Sequence, residues 1–196
     1  MQCSVLVFTF VLLVGCSTRP IPTQDLDGDD LQIVRAIARD RLESKGEAPA
    51  GSYIVFVTPT LHICDKGSQD FSCITADALG RLQDTLRSDV YQEFLTRNST
   101  TLRVPSVEEP SIRVEGARRI NRLVPDPGEW DKFYQAFPNS RGFVEMSAPA
   151  YDASRTHAIV IVIHMCGGSC GIEQIASLSR VGGDWKVLSQ LPLWIS

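Results

Sequence analysis

An unbroken apolar run at residues 156–166 constrains the fold of this chain more than any other feature. The run reads THAIVIVIHMC and is rich in β-branched side chains, which favour a strand over a helix. Polar residues do not alternate with the apolar ones along it. The pattern therefore predicts a strand covered on both faces, in the middle of a sheet.

The residues after this run predict two further strands, at 171–180 and 185–190. Glycine-rich stretches separate the three segments, at residues 167–168 and 182–183. Because glycine adopts positive φ without strain, paired glycines are typical of tight hairpin turns. The C-terminal third of the chain is therefore predicted to be an antiparallel β-meander.

Earlier in the chain, the spacing of apolar residues predicts three helices, at residues 31–44, 75–98 and 126–137. Asp126 is expected to cap the third helix. Further strands are predicted at residues 52–58, 101–104, 111–114 and 142–147. The expected fold class is α+β: an antiparallel sheet with a C-terminal β-meander and three helices packed on it.

The N-terminal residues have the pattern of an export signal. Residues 1–15 carry no charged side chain, and the apolar run at 5–14 is shorter than the roughly 20 residues that span a bilayer. The run ends in Leu13-Val14-Gly15-Cys16, which resembles the lipobox of bacterial lipoproteins. The resemblance implies cleavage after Gly15, a diacylglycerol thioether on Cys16 and fatty acylation of the new amino terminus.

The lipobox also implies a location and a division of the chain. Ser17 stands where Asp would direct retention in the inner membrane, so the expected location is the outer membrane, facing the periplasm. Residues 16–30 are expected to be a flexible tether, and residues 31–196 a single globular domain. The formal net charge of −4 argues against nucleic-acid binding, which needs a basic face.

Four cysteines follow the lipobox, at Cys64, Cys73, Cys166 and Cys170. An even number of cysteines in an oxidising compartment indicates disulfides, and four cysteines allow three pairings. Each of the pairs Cys64–Cys73 and Cys166–Cys170 brackets a glycine-containing loop. These two pairings are therefore the favoured ones.

A metal site is the first alternative use of these cysteines. His62 and Cys64, like His164 and Cys166, are two residues apart, so on a strand each pair points to one face. Together the four side chains are a ligand set suited to zinc or copper. Because an oxidising compartment favours disulfides over free thiolates, no metal or other cofactor is expected, and the metal site stays the alternative.

Residues 167–171 read GGSCG and fit the G-x-S-x-G pattern of the nucleophile elbow in α/β-hydrolases, with Ser169 as nucleophile. In an elbow, a strand runs into a turn that opens a helix, and a histidine follows later in the chain. Here a strand is predicted after the turn, and all three histidines precede Ser169. A glycine-rich hairpin closed by a disulfide is the favoured interpretation.

Aromatic and acidic side chains offer further candidates. The aromatic ones are Trp130, Phe133, Phe137, Trp185 and Trp194. Their spacing is more typical of a core than of an apolar pocket. Glu145 and Glu173 are a conceivable carboxylate pair across the sheet, but nothing in the sequence sets a catalytic separation between them, so no glycosidase is predicted.

The segment from Trp130 onward resembles a C-terminal block found in uncharacterised bacterial proteins, and covers about a third of the chain. The resemblance lies in Trp130, Phe133, Tyr134, Phe137, Pro138, Ser140, Gly142, Ser147, Ala158, Cys166, Gly167, Cys170, Gly171, Gly183, Trp185, Val187 and Trp194-Ile195-Ser196. It supports the fold, and no activity comes with it.

The sequence as a whole predicts a lipid-anchored, non-catalytic lipoprotein of the cell envelope. It carries no nucleophile with a plausible base, no cofactor loop and no basic face. Its expected partners are the membrane, through the lipid anchor, and either an envelope protein or a small ligand. A periplasmic metal-binding protein and a serine hydrolase are the alternatives.

Overall fold

The structure, a computed structural model, describes residues 24–43, 48–64, 73–126 and 128–196. In these ranges the helices are α1 (Gly28–Glu43), α2 (Ala76–Thr85), α3 (Ser88–Arg97), α4 (Ala117–Leu123) and α5 (Asp131–Ala136). The strands are β1 (Gln24–Asp25), β2 (Tyr53–Thr58), β3 (His62–Ile63), β4 (Cys73–Ile74), β5 (Leu102–Arg103), β6 (Ile112–Gly116), β7 (Ser140–Met146), β8 (Ala150–Tyr151), β9 (His157–Gly167), β10 (Cys170–Val181) and β11 (Asp184–Ile195). The predicted lipobox, with Cys16, lies outside the described residues.

A seven-stranded sheet forms the centre of the fold, in the order β11-β10-β9-β7-β2-β6, with β8 also paired to β9. The strands from β11 to β7 are antiparallel to their neighbours, whereas β2 runs parallel to both β7 and β6. The expectation of an antiparallel sheet is therefore wrong for the part of the sheet formed by β7, β2 and β6, and the fold is a mixed α/β arrangement. Hydrophobic patterns mark strands but do not encode the direction of their pairing.

The C-terminal β-meander is confirmed. Strands β9, β10 and β11 are consecutive antiparallel neighbours, and β9 lies between β10 and β7. Alternate β9 side chains enter different cores, with Val160 and Val162 on one face and Ile161 and Ile163 on the other. This two-sided burial explains the continuous apolar run.

The single helix predicted at residues 75–98 is in fact two helices. Leu86 and Arg87 have extended backbone conformations, so α2 ends at Thr85 and α3 begins at Ser88. Both helices bury apolar residues in one cluster, namely Ala78, Leu82, Val90 and Phe94. Since both helices turn their apolar sides to the same core, the spacing of apolar residues continues across the break.

The described residues contain five helices rather than the three expected. The sequence pattern misses α4, because it is 7 residues long and Ile120 is its one buried residue. The third predicted helix exists as α5, but it begins at Asp131 instead of after Asp126. The carboxylate of Asp126 accepts a hydrogen bond from the N–H of Gly128 at 2.9 Å and so orders the preceding turn.

The helices divide between the two faces of the sheet. Helix α1 covers one face, where Ile33, Val34 and Ile37 join a core with Phe56 and Val162. Helices α2 and α3 pack against the other face around Ile161 and Ile163. Helices α4 and α5 pack beside them on the same face, in a cluster that contains Ile120, Phe133 and Phe143. The second face thus carries two separate apolar clusters.

The structure contains both favoured disulfides. Cys64 and Cys73 are joined with a Cα–Cα distance of 5.1 Å, and Cys166 and Cys170 with one of 5.0 Å. The second disulfide closes the turn between β9 and β10. Within the described ranges, the helices are all too short or too polar to cross a membrane.

Candidate ligand-binding groove

A groove of about 770 Å³ lies on the sheet face that carries helices α2 to α5. Its lining includes residues of both apolar clusters on this face, and Met165 packs against both of them. Cys73 and Ala78 contribute to its lining from β4 and α2, and Asn121 and Trp130 contribute from α4 and the residue before α5. The lining residues are Cys73, Thr75, Asp77, Ala78, Asn121, Val124, Trp130, Phe143, Glu145, Ile163, Met165, Gly168, Glu173, Leu193, Trp194 and Ser196.

The floor of the groove is a row of side chains across three strands. Ile163 on β9 is paired in register with Glu145 on β7 and with Glu173 on β10. Residues paired in register point to the same face of a sheet, so all three side chains lie under the groove. With strands spaced about 4.8 Å apart, the Cα atoms of the two glutamates are about 10 Å apart.

Glu173 is a buried acid, with 6% of its surface exposed. Burial raises the pKa of its carboxyl, because a charged carboxylate loses its hydration in an apolar environment. A hydrogen bond from the side chain of Trp194 lowers this pKa, and the negative charge of Asp77 raises it. The net pKa of Glu173 lies above the ordinary glutamate value.

Aromatic rings frame the groove. The Trp130 ring stacks on Phe143, with ring centroids 5.5 Å apart and planes 12° from parallel. Trp130 also contacts the edge of Phe133, which belongs to the core beneath α5. The hydroxyl of Tyr134 donates a hydrogen bond of 2.9 Å to the carbonyl oxygen of Cys166 and so ties α5 to the β9–β10 hairpin. These contacts hold the Trp130 wall in place.

The aromatic residues singled out in the sequence have different roles. Trp130 and Trp194 line the groove. Phe133 and Phe137 are core residues of the cluster under α4 and α5, and Trp185 is buried on the opposite face of the sheet. The core expectation is therefore confirmed for Trp130, which is buried in the cluster under α4 and α5 and also lines the groove, whereas Trp194 is only partly buried. Because the two tryptophans are far apart in the chain, the sequence does not show that they line the same groove.

The structure does not form the alternative metal site. Cys64 and Cys166 are both in disulfides, which removes the thiolates that would bind zinc or copper. His164 is 3% exposed, and its Nε2 hydrogen-bonds the carbonyl oxygen of Arg141 at 2.8 Å. In the part of the chain that the structure describes, no three His, Cys, Asp or Glu residues are grouped to hold a metal ion.

Ser169 lies in the exposed turn between β9 and β10. A nucleophile elbow requires a strand, a turn and then a helix, but here the turn joins two strands. The fit to G-x-S-x-G thus comes from the glycines of a hairpin. This arrangement agrees with the favoured interpretation of the motif.

The groove is built from residues that lie far apart in the chain, so the sequence alone does not reveal it. Asp77 and Asn121 line it from α2 and α4, and neither has a distinctive sequence context. Glu145 and Glu173 are a recognisable pair only because β7 and β10 both flank β9.

No protein-family model, curated protein or solved structure matches this chain.

Proposed function

We propose that this protein is a lipid-anchored, non-catalytic module of the bacterial cell envelope that binds a small, largely apolar ligand in the groove. The anchor is Cys16, at the end of the lipobox-like Leu13-Val14-Gly15-Cys16. The proposed location is the periplasmic side of the outer membrane. The resemblance of the C-terminal block to other bacterial proteins remains a prediction.

The observation that carries the binding proposal is the groove itself. Small-molecule sites in proteins are concave, about 300–1,000 Å³ in volume and lined mainly by apolar and aromatic side chains with a few polar groups. The groove has a volume of about 770 Å³ and offers Trp130, Phe143 and Trp194 together with the floor carboxylates. Its size favours a small ligand over a protein partner.

The anchor is tested by labelling cells with an alkyne analogue of palmitate. The wild-type chain is expected to incorporate the label, and Cys16→Ser is expected to lose it. Cys3→Ser is the matched control, because Cys3 precedes the proposed cleavage site and its loss leaves the label unchanged. Equal labelling of Cys16→Ser and wild type, or no labelling of either, contradicts the anchor.

Groove binding is tested with naphthylmethanol, a neutral apolar probe, by equilibrium dialysis of the full chain in lipid nanodiscs against empty nanodiscs. Leu193 lines the groove, whereas Leu188 on the same strand is 60% exposed outside it. Leu193→Trp narrows the groove and is expected to weaken binding at least about tenfold. Leu188→Trp is expected to bind as wild type does. Failure of the wild type to bind, or equal binding by both variants, overturns the groove as a ligand site.

The non-catalytic assignment has its own test. Hydrolysis of model esters is expected to be absent. Turnover that disappears in Ser169→Ala would replace the binding module with a serine hydrolase.

A further inference from the structure

The charged side chains that line the groove are all acidic. Asp77, Glu145 and Glu173 each contribute a carboxylate, and the described lining contains no Lys, Arg or His. The Asp77 side chain is 76% exposed and pairs with Arg81 at 3.2 Å, so solvent and its partner screen its charge. The carboxylate of Glu173 has no such screening by solvent.

Glu173 combines burial with the lack of a cationic partner. Among the described residues, no Lys, Arg or His forms an ion pair with it, and the residue paired with it on β11 is the neutral Trp194. Buried carboxylates are normally paired with a cation or remain protonated, since an isolated buried charge is costly. The raised pKa of Glu173 agrees with this cost. A cation placed beside Glu173 would restore the ionised form.

The aromatic walls also suit a positive charge. The faces of tryptophan and phenylalanine rings carry negative potential and attract ammonium groups within about 6 Å. Trp194 on β11 is paired in register with Glu173 on β10, and both residues line the groove, so an ammonium group near the Glu173 carboxylate is also close to this indole. The remaining lining of Val124, Ile163 and Leu193 is apolar and suits an uncharged hydrocarbon body.

We propose that the ligand of the groove is an organic amine, with its ammonium group beside Glu173 and its apolar body between Leu193 and Trp130. This inference rests on the proposed function, because it names the chemical class of ligand for the same groove. Charge complementarity and the apolar lining together select this class. An anionic amphiphile would place a second negative charge next to a buried carboxylate.

The test uses three probes with one naphthylmethyl body and different charge: the trimethylammonium cation, the neutral alcohol and the sulfonate anion. Each is titrated calorimetrically at pH 7 into the full chain in nanodiscs, with empty nanodiscs subtracted. The cation is expected to bind at least about tenfold more tightly than the alcohol, and the anion more weakly than the alcohol.

Glu173→Gln removes the negative charge and retains the shape of the side chain. It is expected to reduce the preference for the cation to about threefold or less and to leave the affinity for the alcohol nearly unchanged. Glu108→Gln is the matched control. Glu108 is exposed in the segment next to Val107, which packs in the α1 core on the opposite face of the sheet. This control is expected to keep the full preference.

The outcomes separate the two proposals. If all three probes bind equally well, or if Glu173→Gln keeps the wild-type preference, the amine assignment is wrong and the groove remains a ligand site. If none of the probes binds, both proposals are overturned. Tighter binding of the sulfonate than of the cation would also reject the amine.

Discussion

The side chain of Asn98 hydrogen-bonds both backbone groups of Ala148. Its Oδ1 accepts from the Ala148 N–H at 2.7 Å, and its Nδ2 donates to the Ala148 carbonyl oxygen at 3.1 Å. Nδ2 also donates to the carbonyl oxygen of Phe94 at 2.9 Å. Asn98 is fully buried and caps the C-terminus of α3. One amide therefore joins the end of a helix to the chain that follows β7.

Asn98→Ala should destabilise the fold by about 2–4 kcal/mol, because it leaves the buried N–H and carbonyl of Ala148 without partners. Urea unfolding followed by tryptophan fluorescence measures the change. Ser99→Ala is the control, since Ser99 is exposed and its hydroxyl bonds the Thr96 carbonyl. The control should change stability by less than about 0.5 kcal/mol. Equal effects of both substitutions would contradict the role of Asn98.

Gly142→Ala should prevent normal packing of β7 against β9. Gly142 has a φ of +100°, and an added Cβ would overlap the Met165 carbonyl oxygen and lie 2.9 Å from the Cα of Cys166. We expect a loss of about 3 kcal/mol or more, from backbone strain and overlap together. Thermal unfolding by circular dichroism measures this loss.

Gly80→Ala is a control that is expected to change the stability of the protein in the opposite direction. Gly80 is exposed inside α2, and a Cβ there meets nothing within 4 Å. Alanine is preferred over glycine in a helix interior, so the substitution should stabilise the protein by about 0.5–1 kcal/mol. A destabilised Gly80→Ala would show that α2 is not formed as described.

Asp30→Asn should destabilise the start of α1. Asp30 is fully buried and accepts hydrogen bonds from the Tyr151 hydroxyl at 2.8 Å and from Arg97 at 2.7 Å. A neutral amide leaves the mostly buried Arg97 without its counter-charge, at a cost of about 3–5 kcal/mol. Chemical denaturation measures the difference.

Asp89→Asn is the matched control, because Asp89 also lies in a first helical turn and also pairs with an arginine. Its ion pair with Arg87 is exposed on both sides, so the expected loss is about 1 kcal/mol or less. A comparable loss in the two variants would rule out burial as the reason for the strength of the Asp30 contacts.

Glu173→Gln should stabilise the protein without ligand, and more so at pH 7 than at pH 4. The raised pKa of Glu173 means that the folded state binds this proton more tightly than the unfolded state does. Stability contributed by the protonated form is present below the ordinary glutamate pKa and is lost as pH rises through the raised value. Glutamine cannot ionise and avoids that loss.

Three groups of the groove face Glu173. They are Asp77 on α2, Glu145 on β7 and Trp194 on β11. The difference in melting temperature between wild type and Glu173→Gln should grow with pH, whereas the difference for exposed Glu108→Gln should stay constant. A pH-independent effect of Glu173→Gln would contradict the raised pKa.

The sequence predicts the C-terminal sheet well because its signals are local. The apolar run at 156–166 and the glycines at 182–183 specify two-sided burial and a tight turn, and β9 to β11 form accordingly. The break near Leu86 is different, because the apolar residues on both sides serve one core and keep a helical spacing. The spacing of apolar residues therefore does not reveal the break.

The groove is largely invisible in the sequence because it depends on the order of the strands. Glu145 and Glu173 are far apart along the chain. They lie in one row across the sheet because β9 is between β7 and β10. A change in that order would put one of them elsewhere. The individual residues were recognisable as candidates, but their shared environment requires the tertiary structure.

Both disulfides border the groove. Cys73 lines one wall, and Gly168 lies within the loop closed by Cys166 and Cys170. The main apolar clusters hold the central sheet without these cross-links, so reduction would loosen the mouth of the cavity before the body of the protein. Protein kept under reducing conditions would then pass a test of folding and still lack a properly shaped cavity. Ligand affinity is therefore meaningful only for the oxidised protein.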